Sequence, residues 1–588
     1  MDSCRRSVMF EPTGNELSRQ PAVLCGPTNT TTVDPTDTLA LDDLLEELVA
    51  GSEQLAMSPL LERIQLVEAV QKNVGRLARE WVDCSTAIKQ IRPTDHIRSE
   101  EILSGPVATT RYLHLLGRTF RDISTTGRPR LPGRICRGID GRLLVPVMPV
   151  AGLFDHLVFT GFKTRVRMRA GISPSTLENH AADRFQRSQS ARAPRVTVVL
   201  GAGNISSVPI LDTCDRIFAR SEAVLLKLHP LHEPLKPIFE RLLAPLINHG
   251  YLRIISGNAE TGSRAVTHPG IDAVHITGSV ETHDAIVWGS PGPENDERRR
   301  FDRPLLEKPV SAELGNISPW IIIPGQYTKR QLEYQAENVA SSVINNAGCN
   351  CVATRVLVTW RGWSQRDRFV DRVAEVLKNA EPRDAWCPGA TERFEEFAGQ
   401  NPDGDRIQPT MIRDVNPGSD SPFFAREPFT CVLAEVGLEA GTSEEFCRRA
   451  AVFCNNTLWG TLSATLTVPS SQRRDRAARD RLDRLVASLK YGMVGINQWV
   501  GLSYVLASPP WGGHPDSTRG DVQSGNARVH NTFLLDGVDQ VVMDGPLTSF
   551  PRPPWFPSHP NPEPLSWALL DLYDRPGWKT LWRLIRRT

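Results

Sequence analysis

The pattern of apolar and polar positions changes twice along the first third of the chain. Residues 41–125, beginning "LDDLLEELVA", carry apolar residues at three- and four-residue spacing, which predicts amphipathic helices. From 126 to 175, short β-type runs such as "RLLVPVMPV" are broken by Gly, Pro and Arg, which predicts a small sheet. Residues 1–40 are rich in Thr, Pro and Asn and have no sustained period, so we expect a mobile polar tail.

The clearest alternation of short apolar runs and helical stretches follows. The runs "RVTVVLGAGN", "AVLLKLHP", "YLRIISGN" and "IDAVHITGS" are separated by stretches of helical character. Such alternation predicts βαβ units and a parallel sheet covered by helices on both faces. A second alternating region begins after Cys351 with the strand "TRVLVTW" and a helix. The expected class is therefore α/β, with two lobes.

Length and composition narrow the function classes. At 588 residues the chain is too long for one hydrophobic core. Its 68 Lys and Arg balance 67 Asp and Glu, which argues against nucleic acid as a partner and favours a small molecule. The 11 cysteines are scattered and odd in number, as expected for free thiols in a reducing compartment. With no apolar leader near the first residues and no apolar run of about 18 residues, we expect a cytoplasmic protein.

Two strand-to-helix turns in the predicted parallel sheet are candidate nucleotide sites. One is "GAGNISS", with Asn204, and the other is "HITGSVE", with Gly278 and Ser279. Helix N-termini at such turns present free N–H groups and partial positive charge to phosphates. A tight turn with no ligand is the alternative for either one. Lys227, at the end of the intervening strand, favours nucleotide binding because it can reach a ribose or phosphate from the carboxyl edge.

A carboxylate stands within an apolar, glycine-bearing stretch. Glu313 lies in "SAELGNISPWIIIPG". Burial of an unpaired carboxylate is costly and raises its pKa towards the range of a general base. The alternative is a strand-edge Glu that faces water.

The segment "NNAGCNC" places two thiols, Cys349 and Cys351, one residue apart. A zinc site needs further Cys or His ligands at set spacing, and the flanks supply none, so no metal is predicted. Ordinary burial of both cysteines is an alternative, since Cys is among the most buried residue types. In extended backbone both side chains point to the same face, so geometry alone does not separate them.

The order of these parts resembles the aldehyde dehydrogenase superfamily. That family has an Asn-bearing turn, a strand-end Lys, and the patterns "TGS", "ELGG.SP", "N.GQ.C", "N.T.YGL", "G.V.VN" and "P.GG", in this order. The matching elements here are Asn204, Lys227, "ITGS" (276–279), "ELGNISP" (313–319), "NAGCNC" (346–351), "CNNTLWGTLSA" (454–464), "GMVGIN" (492–497) and "SPPWGG" (508–513). The resemblance implies a Rossmann-like cofactor-binding domain, an α/β catalytic domain and a small β oligomerisation arm.

The resemblance also assigns catalytic roles. The family nucleophile stands three residues after the loop glycine, which is Cys351 here, while Cys349 takes the place of the family's Gln. A Cys351 thiolate of lowered pKa attacks the aldehyde carbon, with the Asn204 amide and the Cys351 backbone N–H as the oxyanion hole. Hydride leaves to a nicotinamide, and Glu313 activates the water that hydrolyses the thioester. The implied activity is NAD(P)-dependent oxidation of an aldehyde to a carboxylic acid.

The implied cofactor is NAD or NADP, and its expected contacts are Lys227, Gly257, Gly278, Ser279 and Glu427. Glu427 lies in "FFAREPF", where the family has "E.FGP", so either the ribose-binding Glu is shifted or that contact is absent. The residue three positions after Lys227 is not acidic, which leaves the choice between NAD and NADP open.

Two other functions stay open. A CoA-acylating relative would pass the thioester to CoA, although Glu313 favours hydrolysis. The second open function is a catalytically impaired pseudoenzyme of the same fold. Two departures from the family pattern keep it open: Gly203 replaces the family's Trp before Asn204, and the segment that holds the family's ribose-binding Glu is altered.

Pattern and resemblance together divide the chain into segments. These are a polar mobile tail (1–40), an N-terminal helical segment (41–125), a small β segment followed by the Rossmann-like NAD(P)-binding domain (126–310), the catalytic domain (311–515), an oligomerisation arm (516–550), and a Pro-rich linker with a Trp/Arg-rich C-terminal segment (551–588).

The last two segments suggest partners. In the arm, "DQVVMDGPL" (539–547) matches the β-strand that the family pairs with a neighbouring subunit, so we expect a homo-oligomer. Residues 551–564 hold seven prolines, which predicts an extended linker. The final "PGWKTLWRLIRRT" is compatible with weak contact to a membrane surface or with packing on protein.

Overall fold

The computed structural model describes residues 38–186 and 193–588, so the tail expected over 1–40 lies almost entirely outside the described residues. Helices cover both ends and both faces of the sheets. In chain order the described α-helices are α1 Thr38–Met57, α2 Leu60–Ile88, α3 Arg98–Ile102, α4 Ala108–Thr126, α5 Asp155–Val158, α6 Asp183–Gln186, α7 Val208–Cys214, α8 Lys236–Leu242, α9 Ala244–Asn248, α10 Ala259–Thr267, α11 Val280–Trp288, α12 Pro293–Arg300, α13 Lys329–Ile344, α14 Arg366–Asn379, α15 Ala390–Ala398, α16 Pro422–Ala425, α17 Ser443–Asn456, α18 Arg476–Ser488, α19 Leu502–Leu506, α20 Pro562–Asp574 and α21 Trp578–Ile585.

The strands of the described residues form three sheets. In chain order they are β1 Cys136–Arg137, β2 Leu143–Met148, β3 Lys163–Met168, β4 Val196–Leu200, β5 Ala223–Lys227, β6 Leu252–Ile255, β7 Ala273–Gly278, β8 Val310–Leu314, β9 Ser318–Ile322, β10 Thr354–Trp360, β11 Arg383–Asp384, β12 Arg406–Ile407, β13 Thr410–Ile412, β14 Val432–Leu438, β15 Ser463–Thr467, β16 Met493–Ile496 and β17 Val538–Asp544. The strand orders are β6-β5-β4-β7-β8, β11-β12 and β1-β2-β3-β17-β16-β15-β9-β10-β14-β13.

The N-terminal helices pack as their spacing predicts. In α2, Val67, Val70, Val74 and Trp81 are buried on one face. This face packs against α4, whose apolar side is also buried. The two helices thereby cover one side of the main hydrophobic core, which extends into both large sheets.

The five-stranded sheet is parallel throughout. All four residues of the β4 run 196–199 are buried, as expected for a strand covered on both faces. Its last strand, β8, contains Glu313. The domain boundary expected between residues 310 and 311 therefore cuts through β8. In the structure the five-stranded sheet continues to Leu314.

The ten-stranded sheet joins the second alternating region to the small β segment. Its strands β9, β10 and β13 to β17 run parallel, and β3 pairs antiparallel with β17. The strand expected to pair with a neighbouring subunit is β17, but both of its edges are used within the chain, by β16 and β3. It therefore offers no free edge to a second subunit.

The segment expected to be a Pro-rich linker is packed against the protein. Phe556 and His559 are buried, and the Ser558 backbone N–H donates to a carboxylate oxygen of Glu337 at 3.0 Å. The following α20 packs on α2, α3 and α4, with the Trp567 ring under the guanidinium of Arg79 at 4.7 Å. Pro553 and Pro562 are themselves buried, so the prolines do not prevent packing.

The expected α/β class is confirmed by these sheets and their helical layers. Among the described helices, none combines the length and the apolar character required to cross a membrane.

Candidate active site

One large cavity, of about 1060 Å³, opens beside the carboxyl ends of the five-stranded sheet. Its wall also includes the segment with the two thiols and the aromatic residues Trp499, Tyr504 and Trp511. It collects most of the residues singled out in the sequence, namely Asn204, Lys227, Gly278, Ser279, Glu313, Cys351 and Glu427. The carboxyl edge of an open parallel sheet is where such folds bind ligands.

The two residues expected near a nucleotide sit at element ends. Lys227 is the last residue of β5, and burial lowers the pKa of its ammonium. Ser279 is the N-cap of α11, and its Oγ accepts a hydrogen bond from the Thr282 N–H at 3.3 Å. The N-terminus of α11 therefore faces the cavity at Gly278 and Ser279 with its partial positive charge.

Gly257 was expected among the cofactor contacts, but it does not line the cavity, whereas the next residue, Asn258, does. Its φ of 133° favours glycine, and a Cβ there would overlap Thr261. Its N–H donates to Glu233 at 3.0 Å. Gly257 thus shapes the turn that presents Asn258.

Glu313 is buried and points at an indole. It is 4% exposed, and its Oε1 accepts a hydrogen bond from Trp511 Nε1 at 2.9 Å. Burial raises its pKa to about 8, and the nearby carboxylates of Asp212 and Glu427 add to the rise. The alternative of a water-facing strand-edge Glu is therefore wrong.

The thiols lie on a loop of unusual backbone, residues 345–351, which we call the thiol loop. Asn346, Ala347 and Gly348 have φ of 55°, 54° and 74°, three consecutive left-handed residues. A Cβ at Gly348 would overlap the Thr430 backbone, so only glycine fits. Asn346 and Ala347 are not glycines, so their left-handed backbone conformations are strained, and contacts with the surrounding residues must offset that strain.

Cys351 lines the cavity and is half-buried, whereas Cys349 is 1% exposed. The lowered pKa expected for Cys351 is not found: burial raises it well above the ordinary value, and the carboxylates of Glu313 and Glu427 raise it further. The buried guanidinium of Arg355 opposes this rise. Cys351 is therefore a neutral thiol that needs a base.

Asn204 also lies at the cavity wall, and its side chain reaches the thiol loop. Its side-chain Nδ2 donates to the Cys349 backbone carbonyl at 3.2 Å. The backbone carbonyl of Asn204 accepts from the side-chain Nδ2 of Asn346 at 3.0 Å. The preceding Gly203 has no room for a larger residue, since a Cβ would overlap the imidazole of His229. The family's Trp at this position is thus replaced by a glycine with a histidine packed over it.

Glu427 is the residue that the sequence suggested as a shifted ribose-binding Glu. It lines the cavity, and its carboxylate packs so closely on Gly315 that a Cβ there would overlap it. Burial raises its pKa to about 7, against the lowering effect of Arg355. Its buried Oε1 has no hydrogen-bond partner among the described groups.

The thiol loop is held by charged side chains that the sequence did not reveal. Lys89 is 2% exposed, and its Nζ donates to Glu101 at 2.6 Å and to Asn346 Oδ1 at 2.8 Å. Glu100 accepts from the Asn346 N–H at 2.8 Å and is paired with Arg383 at 2.9 Å. The two contacts to Asn346 span more than 240 residues of sequence, so no local pattern could have indicated them.

Arg355 holds the loop from the other side. It is fully buried, and its guanidinium donates to the carbonyls of Gly348 at 2.6 Å, Asn350 at 3.1 Å and Thr430 at 2.9 Å. In the sequence it lies in the predicted strand "TRVLVTW", and nothing there indicated this role.

Comparison with known proteins agrees with this arrangement. The model of the aldehyde dehydrogenase family matches residues 235–391, which include the turn with Ser279, Glu313 and Cys351. Over these residues the chain is similar to the aldehyde dehydrogenase family. The resemblance noted in the sequence is thereby confirmed.

The similarity to curated aldehyde dehydrogenases is low. "Aminoaldehyde dehydrogenase 2, peroxisomal" from Malus domestica is 25% identical over 333 residues, which cover 52% of this chain and 58% of the relative. "Betaine aldehyde dehydrogenase 1" from Oryza sativa subsp. japonica is 25% identical over 334 residues, with the same two shares. The matched region thus spans less than two thirds of these relatives.

Solved aldehyde dehydrogenase structures share the fold over most of the chain. The NADP-dependent glyceraldehyde-3-phosphate dehydrogenase of Bacillus halodurans C-125, complexed with NADP, aligns with a TM-score of 0.57 at 16% identity, covering 86% of this chain and 91% of that one. Aldehyde dehydrogenase 21 of Physcomitrella patens, in complex with succinate, aligns with a TM-score of 0.56 at 16% identity, covering 86% and 90%. The aldehyde dehydrogenase fold is therefore shared at an identity too low to transfer substrates.

Proposed function

We propose that this chain oxidises an aldehyde to a carboxylic acid with NAD or NADP as the hydride acceptor. The observation that carries the proposal is the convergence of Cys351, Glu313 and Asn204 on one cavity that also contains Lys227 and the N-terminus of α11. A nucleophile, a base, an amide donor and an anion-binding helix end are the groups that this reaction requires.

The wall of the cavity fits a dinucleotide. The N-terminus of α11 at Ser279 suits a pyrophosphate, and Lys227 suits a ribose or phosphate. The partnerless Oε1 of Glu427 is a free acceptor for a ribose hydroxyl. A nicotinamide bound there supplies the hydride acceptor.

The protein's own groups perform the remaining steps. The Cys351 thiol is neutral near pH 7, so attack on the aldehyde carbon requires transfer of its proton to a base, and Glu313 with a pKa of about 8 suits that task. The Asn204 amide uses one N–H on the Cys349 carbonyl and keeps a second for the developing oxyanion. After hydride loss the thioester remains on Cys351, and Glu313 releases the thiol's proton to solvent. Glu313 then takes a proton from the water that attacks the thioester and returns it to the departing Cys351 thiolate.

The two alternatives make different products or none. A CoA-acylating enzyme would release an acyl-CoA, and a pseudoenzyme would turn over nothing. Glu313 supports hydrolysis, because a buried carboxylate held by Trp511 is costly to keep unless it is used.

Cofactor binding is the first test. We expect calorimetry with the full-length protein to show micromolar binding of NAD or NADP, and Glu427→Gln to weaken it about threefold to tenfold. Glu396→Gln, which changes an exposed carboxylate, serves as the matched control. Binding of neither dinucleotide at millimolar concentration by a folded sample would remove the proposal.

The catalytic assignment is tested by aldehyde-dependent reduction of the dinucleotide. We expect Cys351→Ser to lower the rate at least about 1000-fold, and Cys349→Ser to retain a good part of it. Glu313→Gln should still give one burst of reduced cofactor before the thioester stalls. Cys454→Ser, a buried thiol on α17, is the control. Full activity in Cys351→Ser would show that the chemistry is different.

The substrate panel should include aminoaldehydes, betaine aldehyde and simple aliphatic and aromatic aldehydes. The first two are prompted by the names of the relatives, and the last two by the apolar and aromatic cavity wall. Mass spectrometry of the product distinguishes a carboxylic acid from an acyl-CoA when CoA is present.

We also propose that the protein forms a homo-oligomer, as is common among aldehyde dehydrogenases. Because β17 is fully paired within the chain, the contact must use another surface. Light scattering at micromolar concentration tests this, and a clean monomer of 65.3 kDa would contradict it.

Contact of α21 with a membrane surface and a cytoplasmic location both remain predictions. Trp578 and Trp582 are 75% and 58% exposed on a helix that carries two basic residues, Lys579 and Arg583. The nine described cysteines are all free, as expected in a reducing compartment. Co-sedimentation with anionic vesicles, compared between the wild type and Trp578→Ser/Trp582→Ser, tests the first prediction.

A further inference from the structure

A second pair of thiols, one in the wall of the cavity and one buried, has no role in the proposed reaction. Cys349, on the thiol loop, and Cys387, just before α15, belong to one small cluster with Trp386 and Ala347. Their side chains pack together in this cluster, although the residues are 38 positions apart in the sequence.

The two thiols differ in access. Cys349 is 1% exposed, and its sulfur lies 3.5 Å from the Phe429 carbonyl. Cys387 is half-buried and lines the cavity, so a small solute can reach it. A buried thiol beside an accessible one is the arrangement in which the accessible sulfur is oxidised first and the buried sulfur then resolves it.

The charge around Cys387 also favours reaction. The Arg393 guanidinium lies 3.9 Å from its sulfur, and Lys89 is close enough to contribute. The interaction with the neighbouring Cys349 thiol and with these cations lowers the pKa of Cys387 to about 7. Much of Cys387 is therefore thiolate at neutral pH, and the thiolate is the reactive form.

We propose that Cys387 and Cys349 form a reversible redox site that takes a hydroperoxide as oxidant. The Cys387 thiolate attacks the peroxide oxygen, the O–O bond breaks, and Cys387 becomes a sulfenic acid as hydroxide or alkoxide leaves. The Cys349 thiol then attacks that sulfur, a disulfide forms, and water leaves. Two electrons pass from the thiol pair to the peroxide, and a dithiol reverses the change.

The disulfide would tie the thiol loop to the segment before α15. Cys349 is two residues from Cys351, and its carbonyl accepts the Asn204 amide, so the link would restrain the loop that carries the proposed nucleophile. The site is separate from the proposed dehydrogenase chemistry, because Cys351 is neither oxidised nor consumed.

The test reads sulfur bonds in the full-length protein, so its failure would leave the dehydrogenase proposal untouched. Reduced protein is treated with one equivalent of hydrogen peroxide, blocked with N-ethylmaleimide and digested with trypsin without reduction. We expect peptide 384–393, which holds Cys387, to be linked to peptide 331–355, which holds Cys349 and Cys351. Fragmentation between the last two assigns the partner, and dithiothreitol should remove the link.

Variants distinguish the sulfurs. We expect the link to persist in Cys351→Ser and in the control Cys136→Ser, an exposed thiol on β1, and to disappear in Cys387→Ser. In Cys349→Ser or Cys349→Ala, dimedone should trap a sulfenic acid on Cys387. If the Cys349 variants do not fold, fragmentation of the wild-type linked peptides decides the partner. A link to Cys351, or oxidation of Cys136 with no link at Cys387, would overturn the proposal.

Alkylation of the wild type gives a second readout. The rate at Cys387 should rise with a midpoint near pH 7. At pH 7 this corresponds to about 16 times the thiolate fraction of an ordinary cysteine, whose pKa is about 8.5. A midpoint at or above that ordinary value would contradict the mechanism.

Discussion

The turn that presents Ser279 and the thiol loop face the same cavity but are stabilised in different ways. The turn is stabilised by a local contact, since Ser279 caps the helix that directly follows it. The thiol loop has three consecutive left-handed residues and is held by Lys89 and Arg355, which belong to other elements. The proposed cofactor side is thus built from local signals and the proposed catalytic side from distant ones.

This difference sets where substitutions should have large effects. A helix cap contributes about 1 kcal/mol, whereas a buried charge left without its partner costs several kcal/mol. Conservative changes around the thiol loop should therefore destabilise the protein more than changes in the turn. The following predictions run from the largest expected effect to the smallest.

Replacing Arg355 should have the largest effect. Arg355→Met removes three buried hydrogen bonds and leaves the Gly348 carbonyl without a donor among the described groups, so we expect the free energy of unfolding to fall by about 4 kcal/mol. Urea denaturation followed by circular dichroism measures it. The control Arg413→Met removes only a surface pair with Asp371 and should cost less than about 1 kcal/mol. Equal losses in the two variants would show that the loop does not depend on Arg355.

The Lys89 contact comes next. Lys89→Met leaves Glu101 buried and unpaired and removes a donor to Asn346, so we expect a loss of about 3 kcal/mol. Adding Glu101→Gln should recover part of this loss, because it removes the unpaired charge. Lys236→Met, which breaks a surface pair with Glu240, is the control and should change stability by less than about 0.5 kcal/mol. A double variant less stable than Lys89→Met would argue against the pairing.

Glu313 should give a pH dependence of moderate size. Its folded-state pKa of about 8 lies above the ordinary 4.5, so between these values the folded protein holds a proton that the unfolded chain has lost. Stability should therefore fall as pH rises from 5 through 8 in the wild type and much less in Glu313→Gln, with a difference of roughly 1 to 3 kcal/mol by pH 9.

The same titration should appear in turnover. The base form of Glu313 increases through pH 8, so the rate of acid formation should rise with a midpoint there. Denaturation curves and steady-state rates at matched pH values measure the two effects. A wild-type stability that is flat from pH 5 to 9 would contradict the buried, protonated carboxyl.

The smallest effect is expected in the turn. Ser279→Ala removes one cap on α11 and should lower stability by about 1 kcal/mol or less. Thr442→Ala, which removes the cap of α17 on the other sheet, is the matched control. If Ser279 also meets a pyrophosphate, its replacement should weaken dinucleotide binding by a few-fold while the control leaves it unchanged.

Local patterns predicted the fold class and much of the cavity. The alternation of strands and helices located β4, β5, β6 and β7, and the ends of parallel strands necessarily lie at one edge. This is why Lys227 and Ser279 could be placed together from the sequence. Glu313 could be recognised because a charge in an apolar run is unusual.

Other features depend on contacts between distant segments. Nothing near Lys89 indicates that it reaches Asn346, and nothing near Cys387 indicates that it meets Cys349. The raised pKa of Cys351 arises from Glu313 and burial, neither of which its neighbours in sequence reveal. Residues 551–564 looked like a linker because prolines disfavour regular structure, but their rings can still pack.

The pairing of β3 with β17 has a consequence for synthesis on the ribosome. About 370 residues separate Lys163–Met168 from Val538–Asp544, and the small β segment joins the large sheet only through that pairing. Until residue 544 has emerged, β3 has an unpaired edge, and the nascent chain exposes a strand that can associate with other chains. At the usual rates of translation this interval lasts tens of seconds. The chain should therefore depend on chaperones during synthesis more than a protein whose sheets close between neighbouring strands.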